Sequence, residues 1–287
     1  MVGQVAYVIG QPIAHSLSPT MHNAAFAALG IDARYEAIEI AAVDLSRWIQ
    51  SIRRPDLLGF NVTVPHKEAV AREVDRLEGD AQETGAVNTV MVDRESSSGW
   101  KLIGTNTDTI GFRRSLIEEA GVSLQGQRIL LLGAGGAARA IAYAALKDGA
   151  ADLVVANRDE TRARRLVKQL FRVNTSTQTR AIAMTDPSLA EELATATLVV
   201  NATTVGLGTD EMPVDPARIT GMVVDIVYRP LKTAFLRAAE EHGLRVLGGL
   251  GMLVYQAAAA FELWTGATAP IDIMRNATER ALASQDR

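Results

Sequence analysis

Cysteine is absent from the 287 residues. Disulfides, thiolate zinc sites and cysteine nucleophiles are therefore excluded. Positive charge is not in excess either. Twenty-nine Lys and Arg stand against 33 Asp and Glu, a formal net charge of −4 mixed along the chain. A nucleic-acid partner is not expected, because it would call for a basic stripe. Long apolar runs are missing as well. The longest, "GLGMLVYQAAAAFELWTG", holds Gln256 and Glu262 and is rich in small residues. It falls short of the ~18 apolar residues of a membrane span and reads as a buried core helix. No basic leader precedes the short run "VAYVIG", which reads as a strand and not as a signal peptide. A cytoplasmic protein without membrane contact is the simplest expectation. No internal repeat and no metal-ligand set is seen.

Apolar residues make up 48% of the chain, ample for sizeable cores, and its length suggests about two domains. Strand-like and helical runs alternate almost throughout. "VAYVIG" leads to a helix from Pro19 to Leu29 closed by Gly30. "RYEAIEI" leads to a helix around "AVDLSRWIQSI". "LLGFNVTV" leads to "PHKEAVAREVDRL", with Pro65 in its first turn. "DRESSSGW" reads as a polar hairpin turn between "NTVMV" and "WKLIGTN". From residue 128 a second series begins with "RILLLGAGGAARAIAYAALKDGA", followed by the strand-like runs "DLVVAN", "TLVVNAT", "GMVVDIVY" and "LRVLGG". This pattern predicts an α/β fold of βαβ units on largely parallel sheets. The helix "TIGFRRSLIEEAG" marks the expected boundary. Residues 1–110 with the helices of 250–287 then form one domain, and 111–249 the other.

Gly133, Gly135 and Ala138 form G-x-G-x-x-A after an apolar strand and at the start of a helix. The first glycine permits the tight turn, the second lets a pyrophosphate approach the backbone, and the small third residue packs helix on strand. "VVAN" ends a second strand near the usual ~20-residue spacing of the ribose-reading residue. An Arg there, as at Arg158 after Asn157, suits a 2′-phosphate, and Arg162 follows one helical turn later. Asp159 sits between them and would repel the same phosphate. A solvated basic helix start is the plainer alternative.

Polar residues of the first domain admit two readings each. Ser18 suits an N-cap and Pro19 the first helical position, yet Ser16 and Ser18 at a helix start also suit a carboxylate. Lys67 falls in the first turn of a helix, where the dipole disfavours cations, as expected of a lysine tuned for proton transfer. Asp108, just before a helix, is either a cap or the ion-pair partner of Lys67. Gln256 needs partners inside an Ala-rich helix, from a ligand or from backbone.

"SLSPTMHN", "NVTVPHK", "GAVNT", "GTNTDTIG", "GAGGAARA", "DIVYRPLKT" and "GLGMLVYQAAAAFELWTG" occur in the order in which the shikimate dehydrogenase family carries them. The chain resembles that family over nearly its whole length. The resemblance implies an N-terminal α/β substrate domain, a Rossmann-type doubly wound dinucleotide domain, and a cleft between them. It implies reduction of 3-dehydroshikimate to shikimate with NADPH, by a monomer or homodimer. Ser16 and Ser18 would bind the substrate carboxylate. Thr63, Asn88, Asp108 and Gln256 would hold ring hydroxyls, with Tyr228 nearby, and Lys67 with Asp108 would be catalytic. Gly133, Ala134, Gly135, Gly136 and Ala137 would cradle the pyrophosphate. Asn157, Arg158 and Arg162 would read the adenosine end, with Ile226 and Gly249 near the nicotinamide. Many NADP-using members carry Thr where this chain has Asp159, which leaves NAD(H) open, as in relatives that also oxidise quinate. Ser18 favours shikimate, since quinate-using relatives often have Thr there. A non-catalytic NADP(H) sensor is the alternative of another class.

Overall fold

A computed structural model describes residues 3–94, 100–170, 173 and 176–285. The chain divides into two compact units, Met1–Ile110 with Val254–Arg287, and Gly111–Leu253.

The first unit holds β1 (Gln4–Gly10), α1 (Ser18–Leu29), β2 (Ala33–Glu39), α2 (Leu45–Ser51), β3 (Leu57–Val62), α3 (Lys67–Glu73), β4 (Arg76–Leu77), α4 (Asp80–Thr84), β5 (Thr89–Asp93) and β6 (Lys101–Thr105). Its sheet runs β2-β1-β3-β5-β6-β4. β1 is parallel to β2 and β3, but β5 is antiparallel to both β3 and β6. Five of the six strands thus run one way, as expected of a largely parallel sheet, and β5 alone is reversed. The link from β5 to β6 is too short for the crossover that parallel neighbours need. The polar turn expected over that link includes 95–99, which lie outside the described residues. Val5, Tyr7, Ile9, Phe60, Val62 and Val90 build the core.

Three helix ends depart from expectation. α1 starts at Ser18, with Leu17 at the N-cap position and no side-chain cap. The Ser18 N–H turns instead to Ser16 Oγ at 3.3 Å. α3 starts at Lys67 and not at Pro65, because Val64 and Pro65 form a turn in which the His66 N–H donates to the Thr63 carbonyl at 3.0 Å. At its far end "DRL" leaves the helix. The Asp75 N–H donates to Leu102 O at 2.9 Å, and the Leu102 N–H donates to Asp75 Oδ2 at 2.7 Å. Sheet pairing there outcompetes the helix.

α5 (Asp108–Ala120) leads into the second unit. It contains β7 (Arg128–Leu132), α6 (Gly136–Lys147), β8 (Asp152–Asn157), α7 (Glu160–Leu170), β9 (Gln178–Ala183), α8 (Leu189–Thr195), β10 (Leu198–Asn201), β11 (Met222–Asp225), α9 (Ala234–Glu241) and β12 (Val246–Gly248). The order is β12-β11-β10-β7-β8-β9, and every pair is parallel. Both faces are covered, so successive strand residues feed opposite cores. Ile129, Leu131, Leu153, Val155, Leu198 and Val200 enter one. Leu130, Leu132, Val154, Ala156, Val199 and Val223 enter the other. Continuous apolar strands such as "ILLL" follow from this double burial. α10 (Leu250–Thr265) and α11 (Ile271–Gln285) complete the chain, and α11 packs on α1 in the first unit. Among the described residues no helix is long and apolar enough to cross a membrane.

Candidate active site

In the first unit the strand ends converge on Lys67. Its carbonyl accepts the Val87 N–H at 2.9 Å, which fixes the start of α3. Its ammonium pairs with Asp108 Oδ2, and the two side chains are 13% and 8% exposed. So little solvent strengthens the attraction between the two charges, at a cost in desolvation, and removal of either member would strand a charge. Asp108 is the first residue of α5 and does not cap it. Asn106 does so, accepting the Asp108 N–H at 3.0 Å while its amide donates to Ala86 O at 2.8 Å.

Asn88 fixes the second oxygen of Asp108. Its Nδ2 donates to Asp108 Oδ1 at 2.7 Å and lies 3.4 Å from Gln256 Oε1. Its Oδ1 accepts the Thr107 N–H at 2.7 Å and the Thr89 hydroxyl at 2.9 Å. Register places Thr89 opposite Asn61, and Asn61 Nδ2 donates to Thr89 Oγ1 at 2.9 Å and to Asn88 O at 3.0 Å. The Tyr35 hydroxyl closes the chain, donating to Asn61 Oδ1 at 2.7 Å. Burial pushes the Tyr35 phenol well above its ordinary value, and a hydrogen bond from Ser18 opposes the shift. The structure thus joins Ser18, Asn88, Asp108, Gln256 and Lys67 in one polar system. Thr63 is half-buried just beyond β3 and Ser16 just before α1. Sequence reasoning missed Tyr35, Asn106, Thr107 and Thr89 as members. The density of Asn and Thr in "GTNTDT" was the available signal.

The second unit carries the other predicted positions. Gly133 has φ +112°, and a Cβ there would stand 2.9 Å from the Ala202 carbonyl oxygen. A Cβ at Gly135 would meet nothing within 4 Å. Space is therefore open where a phosphate would approach. Gly135 is the N-cap of α6, and among the described residues no side chain caps that helix, which leaves the N–H groups of Gly136 and Ala137 at its start open to a ligand. Ala134 is half-buried in the turn, and Ala138 is fully buried.

Asn157 ends β8, and its Nδ2 donates to Asp159 O at 2.8 Å. Arg158 and Arg162 are exposed, and no carboxylate pairs with either among the described residues. The Asp159 carboxylate is committed to the helix, for its Oδ1 accepts the Thr161 N–H at 2.9 Å. Ile226 follows β11, and a Cβ on Gly249 would fall 2.1 Å from its carbonyl oxygen. Tyr228, half-buried in the same loop, has its phenol pushed up by burial, with Arg229 opposing. Glycine turn, uncapped helix start and unpaired arginines together fit a phosphorylated dinucleotide.

Three family models match the chain. Residues 8–90 match the shikimate dehydrogenase substrate binding domain. Residues 115–209 match shikimate / quinate 5-dehydrogenase. Residues 249–279 match the shikimate 5′-dehydrogenase C-terminal domain. Shikimate dehydrogenase (NADP(+)) of Symbiobacterium thermophilum is 44% identical over 99% of this chain and 96% of its own. A crystal structure of shikimate 5-dehydrogenase from Thermus thermophilus in complex with NADP(H) and shikimate superposes with TM-score 0.83. It is 38% identical and covers 97% of this chain and 99% of its own. Quinate dehydrogenase from Corynebacterium glutamicum in complex with NAD superposes with TM-score 0.87, at 30% identity over 97% of this chain and 99% of its own.

Proposed function

The chain belongs to the shikimate dehydrogenase family, and on that premise we propose that Lys67 and Asp108 catalyse the reversible NADPH-dependent reduction of 3-dehydroshikimate to shikimate. It is an oxidoreductase acting on a CH–OH group, with NADP(H) as cofactor. Its place is the route to chorismate and the aromatic amino acids. The observation that carries the reading is the buried Lys67–Asp108 pair, locked by Asn88.

NADP(H), when bound, supplies the hydride; the protein supplies geometry and a proton. Negative charge grows on the ketone oxygen as its carbon is reduced. The Lys67 ammonium stabilises that charge and donates the proton. Asp108 holds Lys67 in place and accepts a hydrogen bond from a neighbouring substrate hydroxyl. Thr63, Asn88 and Gln256 hold ring hydroxyls, and Tyr228 is assigned to the same substrate. Ser16 and Ser18, beside the start of α1, bind the substrate carboxylate. Gly133, Ala134, Gly135, Gly136 and Ala137 receive the pyrophosphate. Asn157, Arg158 and Arg162 receive the adenosine 2′-phosphate, and Ile226 and Gly249 face the nicotinamide.

A second reading, an NAD-preferring quinate/shikimate dehydrogenase, draws on Asp159. The engagement of that carboxylate with Thr161 speaks against its reading a ribose. Lys67→Ala tests the chemistry. Its kcat should fall roughly 10²–10⁴-fold, the usual contribution of general acid–base catalysis, with a much smaller change in KM. A variant that keeps most of its kcat removes Lys67 from the mechanism.

A further inference from the structure

A carboxylate that the proposed reaction does not use lies at the C-terminal edge of the second sheet. Asp225, the last residue of β11, is 0% exposed. Register sets it beside Asn201, the last residue of β10, which is itself beside Leu132 at the end of β7. Asp225 Oδ1 accepts from Asn201 Nδ2 at 2.9 Å and from the Val227 N–H at 3.1 Å. Its Oδ2 accepts the Thr233 hydroxyl at 2.7 Å. No Lys or Arg pairs with it among the described residues. Burial pushes its carboxyl up, and the bonds from Thr233, Val227 and Asn201 oppose that. A buried polar group without a cation persists only where donors satisfy it.

Each donor belongs to a different segment. Asn201 Oδ1 accepts the Thr203 N–H at 3.1 Å and its hydroxyl at 2.7 Å, and Asn201 Nδ2 also donates to Val205 O at 3.2 Å. Ala202 and Thr203 fill the space where a Gly133 Cβ would stand, at 2.9 and 3.1 Å. Val227 lies in the Ile226–Tyr228 loop. Thr233 caps α9, accepting the Leu236 N–H at 3.3 Å. One carboxylate therefore fixes the loop after β10, which bears on the glycine turn, together with the loop after β11 and the start of α9. In an open parallel sheet, ligands sit beyond the carboxyl ends of the strands where the order reverses. That reversal falls between β7 and β10 in this sheet.

We propose that Asp225 is a positioning residue for the dinucleotide: its three hydrogen bonds hold the loops after β10 and β11 in the form that binds NADP(H), without touching the cofactor. The proposal rests on the cofactor reading of this unit. It is tested by calorimetric titration of NADP+ into the full-length protein without substrate, at a temperature where circular dichroism shows each variant folded. Binding of shikimate is titrated alongside. Asp225→Ala removes all three acceptor contacts and should weaken NADP+ roughly tenfold or more, with a much smaller loss for shikimate, of whose proposed partners only Tyr228 lies in a loop that Asp225 holds. Asp225→Asn is isosteric. Its carbonyl can accept from Asn201 and Val227 and its amide can donate to Thr233 Oγ1, so NADP+ affinity should stay within about threefold of wild type. If Asp225→Ala does not fold, Thr233→Val, which removes one donor, should weaken NADP+ by about threefold. Wild-type affinity in Asp225→Ala overturns the proposal. So does an Asn variant as weak as the Ala variant, since charge and not bonding would then matter. Failure of the wild type to bind NADP+ would overturn the cofactor reading itself.

Discussion

Asp159→Ala separates the two roles open to an acid at the end of β8. In the structure its carboxylate accepts one bond, from the Thr161 N–H at 2.9 Å. The rest of the turn is held by the Asp159 backbone carbonyl, which accepts from Asn157 Nδ2 at 2.8 Å and from the Arg162 N–H at 3.1 Å. Alanine keeps that carbonyl, so the turn survives and only the cap is lost. Loss of a cap costs about 1 kcal/mol, which lowers Tm by about 2–4 °C in a protein of this size. The acid is exposed, so its repulsion of a phosphate is screened within a Debye length of about 8 Å at physiological salt. NADP+ should bind no more than about threefold more tightly without it, and NAD+ should bind as before. Arg158→Ala is the counterpart. It should weaken NADP+ by about 1.5–3 kcal/mol, the scale of a hydrogen bond to a charged group, and leave NAD+ untouched. Differential scanning fluorimetry gives the Tm and calorimetry the affinities. If Asp159→Ala weakens NAD+ more than about tenfold with Tm unmoved, the carboxylate reads a ribose and the capping account is wrong.

Two further outcomes are expected. Ser16→Ala should raise KM for shikimate by the equivalent of about 1.5–3 kcal/mol, and loss of its bond from the Ser18 N–H should lower Tm by no more than about 2–4 °C; an unchanged KM would place the carboxylate elsewhere. His22 should make the fold sensitive to acid. Its imidazole is 0% exposed, stacked on Tyr35 at 4.3 Å, and neither ring nitrogen has a partner among the described residues. Burial holds its pKa down at about 3, against an ordinary 6.5. Stability from the neutral ring is complete above about pH 6.5 and falls with pH below it, by up to about 1.4 kcal/mol per unit until about pH 3. Urea denaturation at pH 7 and pH 5, in wild type and His22→Phe, isolates this contribution. Equal pH dependence in the two would refute it.

The features legible in the sequence are those with a local cause. "RILLLGAGG" announces strand, turn and helix together, because double burial makes the strand continuously apolar and the turn needs glycine at φ +112°. The strands β4 and β9 went unread. "RL" has no periodicity of its own and becomes a strand only by pairing with β6, and "QTRAIA" is an edge strand with mixed burial. The antiparallel pairing of β5 with β6 agrees with the hairpin reading of "DRESSSGW", whereas its antiparallel pairing with β3 has no local signal, because direction there depends on how the chain returns. In the site, motif composition brought Lys67 and Asp108 forward although 41 positions separate them. The residues that hold them did not stand out. Asn106 caps Asp108 from a position that sequence reading assigns to a strand end, and Tyr35 meets Asn61 only after two strands pair through β1. Asp225 and His22 look ordinary in the chain, since burial decides what each does and burial is a property of the fold.

The central claim is tested most directly by steady-state oxidation of shikimate by the wild-type protein, with NADP+ and NAD+ compared under one set of conditions. The account predicts shikimate-dependent reduction of the cofactor, with kcat/KM higher for NADP+ than for NAD+. A higher value with NAD+, or no turnover of shikimate with either, would contradict it.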